Sequence, residues 1–310
     1  MKMKWTEADI PDQAGRLVVI TGANSGLGFH TSLALVRKGA RVIMACRNLE
    51  KGEEARQELL ATRPDYEPEL WELDLSMLSS VSSFAEKFLA KHQGPDVLIN
   101  NAGVMALPYM KTSDGFEMHF GVNHLGHFAL TALLWPGISK RPGARIVNVS
   151  SAAHNSGRIK FEDIHWERDY KKWGAYGMSK LANLLFTSEM TRRLKDSDFK
   201  VLVASAHPGY ADTSLVAKGM NVSGSNKTGG IVNTANRILA QSGAMGALPS
   251  LYAATDSRVK PGSFYGPSGF LRLYGWPALT RPNPKRVTPQ DATSLWELSE
   301  SLTGIRFEIG

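Results

Sequence analysis

Short apolar runs rich in β-forming residues alternate with longer amphipathic stretches along most of this 310-residue chain. The runs lie at 16–21, 41–45, 70–74, 96–100, 145–150 and 200–206, with a weaker one at 263–265. Between them, 27–38, 50–61, 78–91, 115–134 and 174–194 carry apolar residues at helical spacing. Strands alternating with helices predict right-handed βαβ units. The expected class is therefore α/β, with a doubly wound parallel sheet covered by helices on both faces. The runs agree: Val18-Val19-Ile20, Val42-Ile43-Met44 and Val97-Leu98-Ile99 are apolar without a break, as strands buried on both faces must be. Such sheets bind ligands beyond the carboxyl ends of their strands. The residues that follow each run are therefore the first candidates for a site.

The first run leads straight into Thr21-Gly22-Ala23-Asn24-Ser25-Gly26-Leu27-Gly28 and then a helix. Glycines in that position let backbone amides approach a pyrophosphate at the helix N-terminus. The spacing is TGxxxGxG, not the GxGxxG of the Rossmann fingerprint, and an ordinary glycine turn would also use glycines. The position after the first strand of an alternating chain favours a dinucleotide. Cys46-Arg47-Asn48 follows the second run. A carboxylate there would suit the ribose of NAD; an arginine suits a 2′-phosphate. The expected cofactor is therefore NADP(H), with NAD(H) as the alternative; the plainer reading of Arg47 is an exposed arginine opening a helix. The later runs end at Asp74, at Asn100-Asn101-Ala102-Gly103, at Ser150-Ser151 and at Pro208-Gly209.

Tyr176 and Lys180 are four apart in a helical stretch, which puts both on one face. A free tyrosine has a pKa of about 10, and a neighbouring ammonium lowers it. Alone, the pair could be an ordinary surface pair. Here Ser151 and Asn123 accompany it, and the polar pieces collect at strand ends.

The motifs together resemble the short-chain dehydrogenase/reductase family: TGANSGLG at 21–28, LDLS at 73–76, NNAG at 100–103, VNHLGHF at 122–128, VNVSS at 147–151, YGMSK at 176–180 and HPGYADT at 207–213. They run in that family's order from about 16 to 215. The likeness is to its retinol dehydrogenase, WW-domain oxidoreductase and protochlorophyllide reductase branch, through ACRN, NNAGVM, FGVNHLGHF and SKLANLLF. The resemblance implies one Rossmann-type NAD(P)-binding domain over 1–310, with a sheet of about seven strands and substrate-loop excursions at about 208–245 and 261–289. It implies that Tyr176 exchanges the substrate proton, that Lys180 lowers the tyrosine pKa, that Ser151 bonds the substrate oxygen, and that Asn123 kinks its helix and holds a water relay to Lys180. Cofactor contacts are implied for Gly22, Asn24, Ser25, Gly26, Leu27, Gly28, Arg47, Asp74, Leu75, Asn101, Ala102, Gly103, Tyr176, Lys180, Pro208, Gly209 and Thr213. The expected reaction is hydride transfer between NADP(H) and a carbonyl or alcohol of a hydrophobic small molecule. Reduction of a carbon–carbon double bond and a non-catalytic dinucleotide sensor are the alternatives. Pairing into a homo-oligomer is an analogy only.

Composition excludes other classes. With 43% hydrophobic and 21% charged residues the chain is not disordered. The net charge of +7 comes from basic residues scattered in ones and twos, so no nucleic-acid partner is expected, while anionic cofactors gain from it. The single cysteine, Cys46, allows no intrachain disulfide and reads as a small buried residue. The longest mostly apolar stretch, 128–138, is far short of the ~20 residues of a membrane span, and no secretory signal is read at the start. A soluble, cytoplasmic protein is expected. His119, His124 and His127 lack partners at metal-ligand spacing, so no metal is expected and they read as packing or local hydrogen-bonding residues. His207 reads as turn punctuation. Phe264, Tyr265, Phe270, Leu271, Tyr274 and Trp276 read equally as an apolar lid or as packed surface, and Leu107, Pro108 and Tyr109 as a further wall.

Overall fold

The computed structural model describes residues 4–209 and 242–309; Thr213 and most of the 208–245 excursion lie outside them. Strands β1 (Leu17–Thr21), β2 (Arg41–Cys46), β3 (Glu69–Glu72), β4 (Val97–Asn100), β5 (Arg145–Val149), β6 (Leu202–Ala206), β7 (Phe264–Pro267) and β8 (Pro277–Thr280) form one sheet in the order β3-β2-β1-β4-β5-β6-β7-β8. The first seven pair in parallel. The eighth is antiparallel to β7, with Phe264 opposite Thr280. The sequence predicts about seven strands, the last a weak one at 263–265, and reads 261–289 as an excursion; that stretch holds β7 where the weak run lies, and an eighth strand that the sequence reading lacks. β8 escapes a pattern reading because it is four residues long and starts at a proline, which cannot donate to a ladder and is tolerated at an edge.

Helices α1 (Gly26–Val36), α2 (Leu49–Leu60) and α7 (Gly243–Thr255) cover one face of the sheet. Helices α3 (Leu78–Lys91), α5 (Gly126–Ile138), α6 (Lys172–Lys195) and α8 (Pro289–Thr303) cover the other. The period of two in a strand does the sorting. In β1, Val18 and Ile20 enter the core under α1 and α7, while Leu17 and Val19 enter the core under α3 and α5. The helical pattern at 115–134 resolves into a short α4 (Met118–Phe120), a π turn at Gly121–Leu125 and α5. No helix among the described residues is long and apolar enough to cross a membrane.

Two features of this topology place the site. After β1 the chain winds outward through β2 and β3, then returns to build β4 on the other side of β1. The carboxyl ends of β1 and β4 therefore diverge into a crevice. Beneath it runs a buried polar ladder. Asn100 Nδ2 donates to Asn148 Oδ1 (2.8 Å), Asn148 Nδ2 to Thr187 Oγ1 (2.9 Å), and Ser205 Oγ to the same hydroxyl (2.7 Å). Buried polar groups need partners, so this ladder fixes β4, β5 and β6 against α6 in one register.

Candidate active site

The glycine loop fits a bound pyrophosphate. Gly22 and Gly26 have φ of 65° and 53°, a region that side chains rarely enter. A Cβ on Gly28 would lie 2.2 Å from the Gly22 carbonyl oxygen. Ser25 caps α1 with no side-chain hydrogen bond, so the amides of the first turn stay available to an anion. The loop is stitched to β4 across the crevice. Thr21 Oγ1 accepts from the Asn101 and Ala102 amides, both at 2.9 Å, and Asn101 Nδ2 donates to the Thr21 carbonyl at 2.8 Å.

His127 extends this stitch. Its Nδ1 lies 3.0 Å from the Asn123 carbonyl, an acceptor, so Nδ1 carries the proton; Nε2 then accepts from Thr21 Oγ1 at 2.9 Å. Burial pulls its pKa down to about 4, so the ring is neutral. His124 bonds Ser299 Oγ at 2.9 Å. The sequence reading of these histidines is packing or local hydrogen bonding; it does not include a link from the π turn to the glycine loop. Its only signal in the sequence is the spacing of four between Asn123 and His127.

Asn123, Ser151, Tyr176 and Lys180 come together at the crevice. Asn123 sits in the π turn; its amide bonds both backbone groups of Val104 (2.7 and 3.0 Å) and Ser179 Oγ (2.8 Å). The side chain therefore has no donor left for a relay, which leaves that expectation to its carbonyl. The Lys180 ammonium donates to the Val149 carbonyl at 3.1 Å and lies 6.0 Å from the Tyr176 ring centre. Burial pulls it down to about 8. Burial also pushes the Tyr176 phenol above its ordinary value, opposed by a hydrogen bond with the Ser151 side chain. The sequence predicts a lowered tyrosine. At this distance, with the ammonium turned to a carbonyl, desolvation outweighs it. Ser150 Oγ is buried and donates to the Lys180 carbonyl at 2.7 Å, and Ser151 is the one that reaches Tyr176. Gly103 floors the site. A Cβ there would lie 3.0 Å from Asn123 Oδ1 and 3.3 Å from Lys180 Nζ.

The other expected residues stand at neighbouring strand ends. Arg47 is exposed after β2. Asp74, after β3, takes the Ser76 amide and hydroxyl on one oxygen (2.9 and 2.6 Å), beside a buried Leu75. Gly209, after Pro208, has φ 71° and donates to His207 Nδ1 at 3.2 Å. The sequence reading missed a buried pair, Glu117 and His119, joined at 2.6 Å. Glu117 also accepts from the Phe120 amide at 2.8 Å, and His119 Nε2 from the Leu107 amide at 3.2 Å. The His119 ring meets Tyr176 edge-on at 6.1 Å. Nothing in Glu117-Met118-His119 as a string separates it from any helix start. Among the described residues no group of three His, Cys, Asp or Glu side chains is placed to hold a metal ion. Cys46 is buried, with its thiol pushed up to about 11.

Residues 16–222 match the family model described as short chain dehydrogenase. The chain belongs to that family. Mouse retinol dehydrogenase 12 is 41% identical over 306 residues, 98% of this chain and 90% of that protein. Human retinol dehydrogenase 11 is 51% identical over 202 residues, which are 65% of this chain and 63% of that protein. The likeness places this short-chain dehydrogenase in the retinol dehydrogenase-like branch. Among solved structures, an uncharacterised protein from Mycobacterium paratuberculosis superposes with a TM-score of 0.81 at 43% identity, covering 99% of this chain and 100% of the other. A short-chain dehydrogenase from Shigella flexneri, solved in complex with NADP, shares the fold (TM-score 0.63, 21% identity, 82% of this chain and 97% of that one). The short-chain dehydrogenase described here is thus an oxidoreductase, of a family that binds nicotinamide dinucleotides.

Proposed function

We propose that this oxidoreductase transfers a hydride between NADP(H) and the carbonyl or alcohol of a hydrophobic small molecule, with Tyr176 as the acid/base. The observation that carries the reading is the buried Tyr176 phenol, bonded to Ser151 and one helical turn from a buried Lys180, at the mouth of the crevice. The chain from 1 to 310 serves as a single NAD(P)-binding domain. Amides around Gly22, Asn24, Ser25, Gly26, Leu27 and Gly28 hold the pyrophosphate, and Arg47 holds the 2′-phosphate. Asp74 and Leu75 border the adenine, Asn101, Ala102 and Gly103 its ribose. Tyr176 and Lys180 hold the nicotinamide ribose, Pro208 and Gly209 the ring, and Thr213 the carboxamide.

Bound there, the cofactor supplies or accepts the hydride. Ser151 Oγ donates to the substrate oxygen and fixes it beside Tyr176. Burial keeps the phenol protonated near neutrality, which suits a proton donor to a carbonyl being reduced. The phenolate left behind is held by the Ser151 hydrogen bond and by Lys180. With a pKa of about 8, Lys180 exchanges protons readily in that range. Asn123 holds Val104 and Ser179, and so keeps the substrate wall and α6 in place. Phe270, Leu271 and Tyr274 are exposed; with Leu107, Pro108 and Tyr109 they would supply the apolar surface that a hydrophobic substrate needs.

The test follows NADPH absorbance over a panel of hydrophobic aldehydes and ketones, with Tyr176→Phe as control. Wild type is expected to consume NADPH, and the variant to be slower by roughly 10²–10⁴ with NADPH affinity retained. Tight NADPH binding with no consumption across the panel would sink the carbonyl reading.

A further inference from the structure

The four-residue turn that follows Ser151 also walls a second feature. Together with the end of β6 and the β7–β8 hairpin it encloses a cavity of ≈ 460 Å³. Its wall includes His154, His207, Leu271, Arg272, Leu279 and Arg281, and among the described residues no carboxylate. The His154 ring is tied to the catalytic turn, since its Nδ1 donates to the Ser151 carbonyl at 2.6 Å. The cavity and the Tyr176–Ser151 pair are therefore built on the same few residues.

The cavity is electropositive. Burial holds both imidazoles below their ordinary values, His207 to about 3, with Arg272 adding to the effect. Near neutral pH they are uncharged, and the charge comes from the two guanidiniums. Arg272 spends one nitrogen on long bonds to the Leu279 carbonyl (3.3 Å) and Thr280 Oγ1 (3.4 Å). Arg281 makes no hydrogen bond or ion pair among the described residues. Leu271 and Arg272 both sit in the left-handed region, at φ 50° and 60°. Two successive side chains there are uncommon, and strain of this kind persists where the surroundings impose it. Leu271 and Leu279 are 70% and 57% exposed, so apolar surface flanks the charge.

We propose that this cavity is a carboxylate subsite: Arg272 and Arg281 hold the acid end of an amphipathic oxo-acid whose carbonyl is reduced at Ser151 and Tyr176. A planar two-oxygen anion matches the guanidinium fork, and the leucines suit an apolar stem between the two ends. The inference rests on the carbonyl-reducing function proposed above and names the substrate class of that site.

Two arms test it. In the first, azelaic semialdehyde and terephthalaldehydic acid are each compared with their methyl esters as substrates with NADPH. Charge-assisted hydrogen bonds of this type give roughly ten- to hundred-fold in kcat/KM, so wild type should prefer each acid by that factor. In Arg272→Met/Arg281→Met the acid-to-ester ratio should fall to about one. In the second arm, azelate binding is measured by equilibrium dialysis, which needs no turnover. It should be salt-sensitive in wild type and at least ten-fold weaker in the double variant. Equal use of acid and ester by wild type overturns the proposal, as does equal azelate affinity in the two proteins. If neither acid nor ester is consumed, the carbonyl reading fails on its own, and the dialysis still decides the subsite.

Discussion

Lys180 holds its ammonium away from water, with Nζ on the Val149 carbonyl at 3.1 Å, and its pKa falls from 10.5 to about 8. Between those values the unfolded chain binds more protons than the folded one, so stability rises with pH there. Below about pH 8 the full penalty stands, about 3 kcal/mol from the size of the shift. Lys180→Met removes the penalty and gives up one hydrogen bond worth about 1 kcal/mol. Without cofactor, the variant should be about 2 kcal/mol more stable than wild type near pH 7, and the gap should shrink by about pH 9.5. Urea unfolding at the two pH values measures it; a gap that does not change with pH would show that burial does not set the lysine. Arg47 offers the complementary case, a residue exposed in the free chain for which the proposed role is in binding alone. Arg47→Asp should leave stability within about 0.5 kcal/mol. It should also move the ratio of kcat/KM for NADPH over NADH toward NADH by tenfold or more, the scale of a lost charged contact. No preference for NADPH in wild type would remove the 2′-phosphate role.

The elements that frame the crevice are the ones most legible in the sequence. β1, β2 and β4 are read correctly because strands covered on both faces must be apolar throughout, and Gly22, Gly26 and Gly28 because a tight strand-to-helix turn admits little else. Three features were not legible, each for a physical reason. β8 is too short and too proline-bounded to carry a period. The π turn at Gly121–Leu125 adds one residue to a helical turn without altering the apolar pattern around it. The Glu117–His119 pair is joined within two residues, and its further partners, Leu107 and Tyr176, come from elsewhere in the chain. The glycine loop gives a prediction at this scale. A methyl on Gly28 would sit 2.2 Å from the Gly22 carbonyl and 2.7 Å from Asn101 Nδ2, so it strikes both the loop and its stitch to β4. Gly28→Ala should cost about 1–3 kcal/mol as an overpacked site and weaken NADPH binding at least tenfold. Gly143→Ala is the control: its φ of 76° is strained for alanine, but nothing lies within 4 Å of the new carbon. It should lose about 1 kcal/mol and bind NADPH as wild type does. Equal NADPH affinity in the two variants would mean that the loop does not hold the dinucleotide.

Across the whole molecule, the C-terminal residues join the core that supports the site. The motifs that carry the resemblance in the sequence end near residue 215, and beyond it only a weak strand at 263–265 and loop excursions are read. Yet α8 lies against α6, and Trp296 is 2% exposed. Its ring stands 5.3 Å from Phe128 on α5, 5.8 Å from Phe186 on α6 and 4.8 Å from Phe307, with the Arg193 guanidinium 4.4 Å over its face. α6 carries Tyr176 and Lys180, and α5 continues the π turn that holds Asn123. One side chain of α8 thus spaces the two helices that position Asn123, Tyr176 and Lys180. Trp296→Ala should cost about 3–5 kcal/mol, and lower the Tm by roughly 10 °C, because the cavity opens between helices that strands on their other side hold apart. The same spacing argument predicts a loss of kcat in folded protein, since small displacements between reacting groups are expensive. Trp296→Phe keeps an aromatic ring in the cluster and should recover most of both. Thermal unfolding and single-turnover reduction, measured well below the transition, separate the effects. A variant that loses stability but reduces substrate at the wild-type rate would confine the cluster to holding the fold; loss of both, restored together by phenylalanine, would make the C-terminal helix part of what keeps Asn123 and Tyr176 in register.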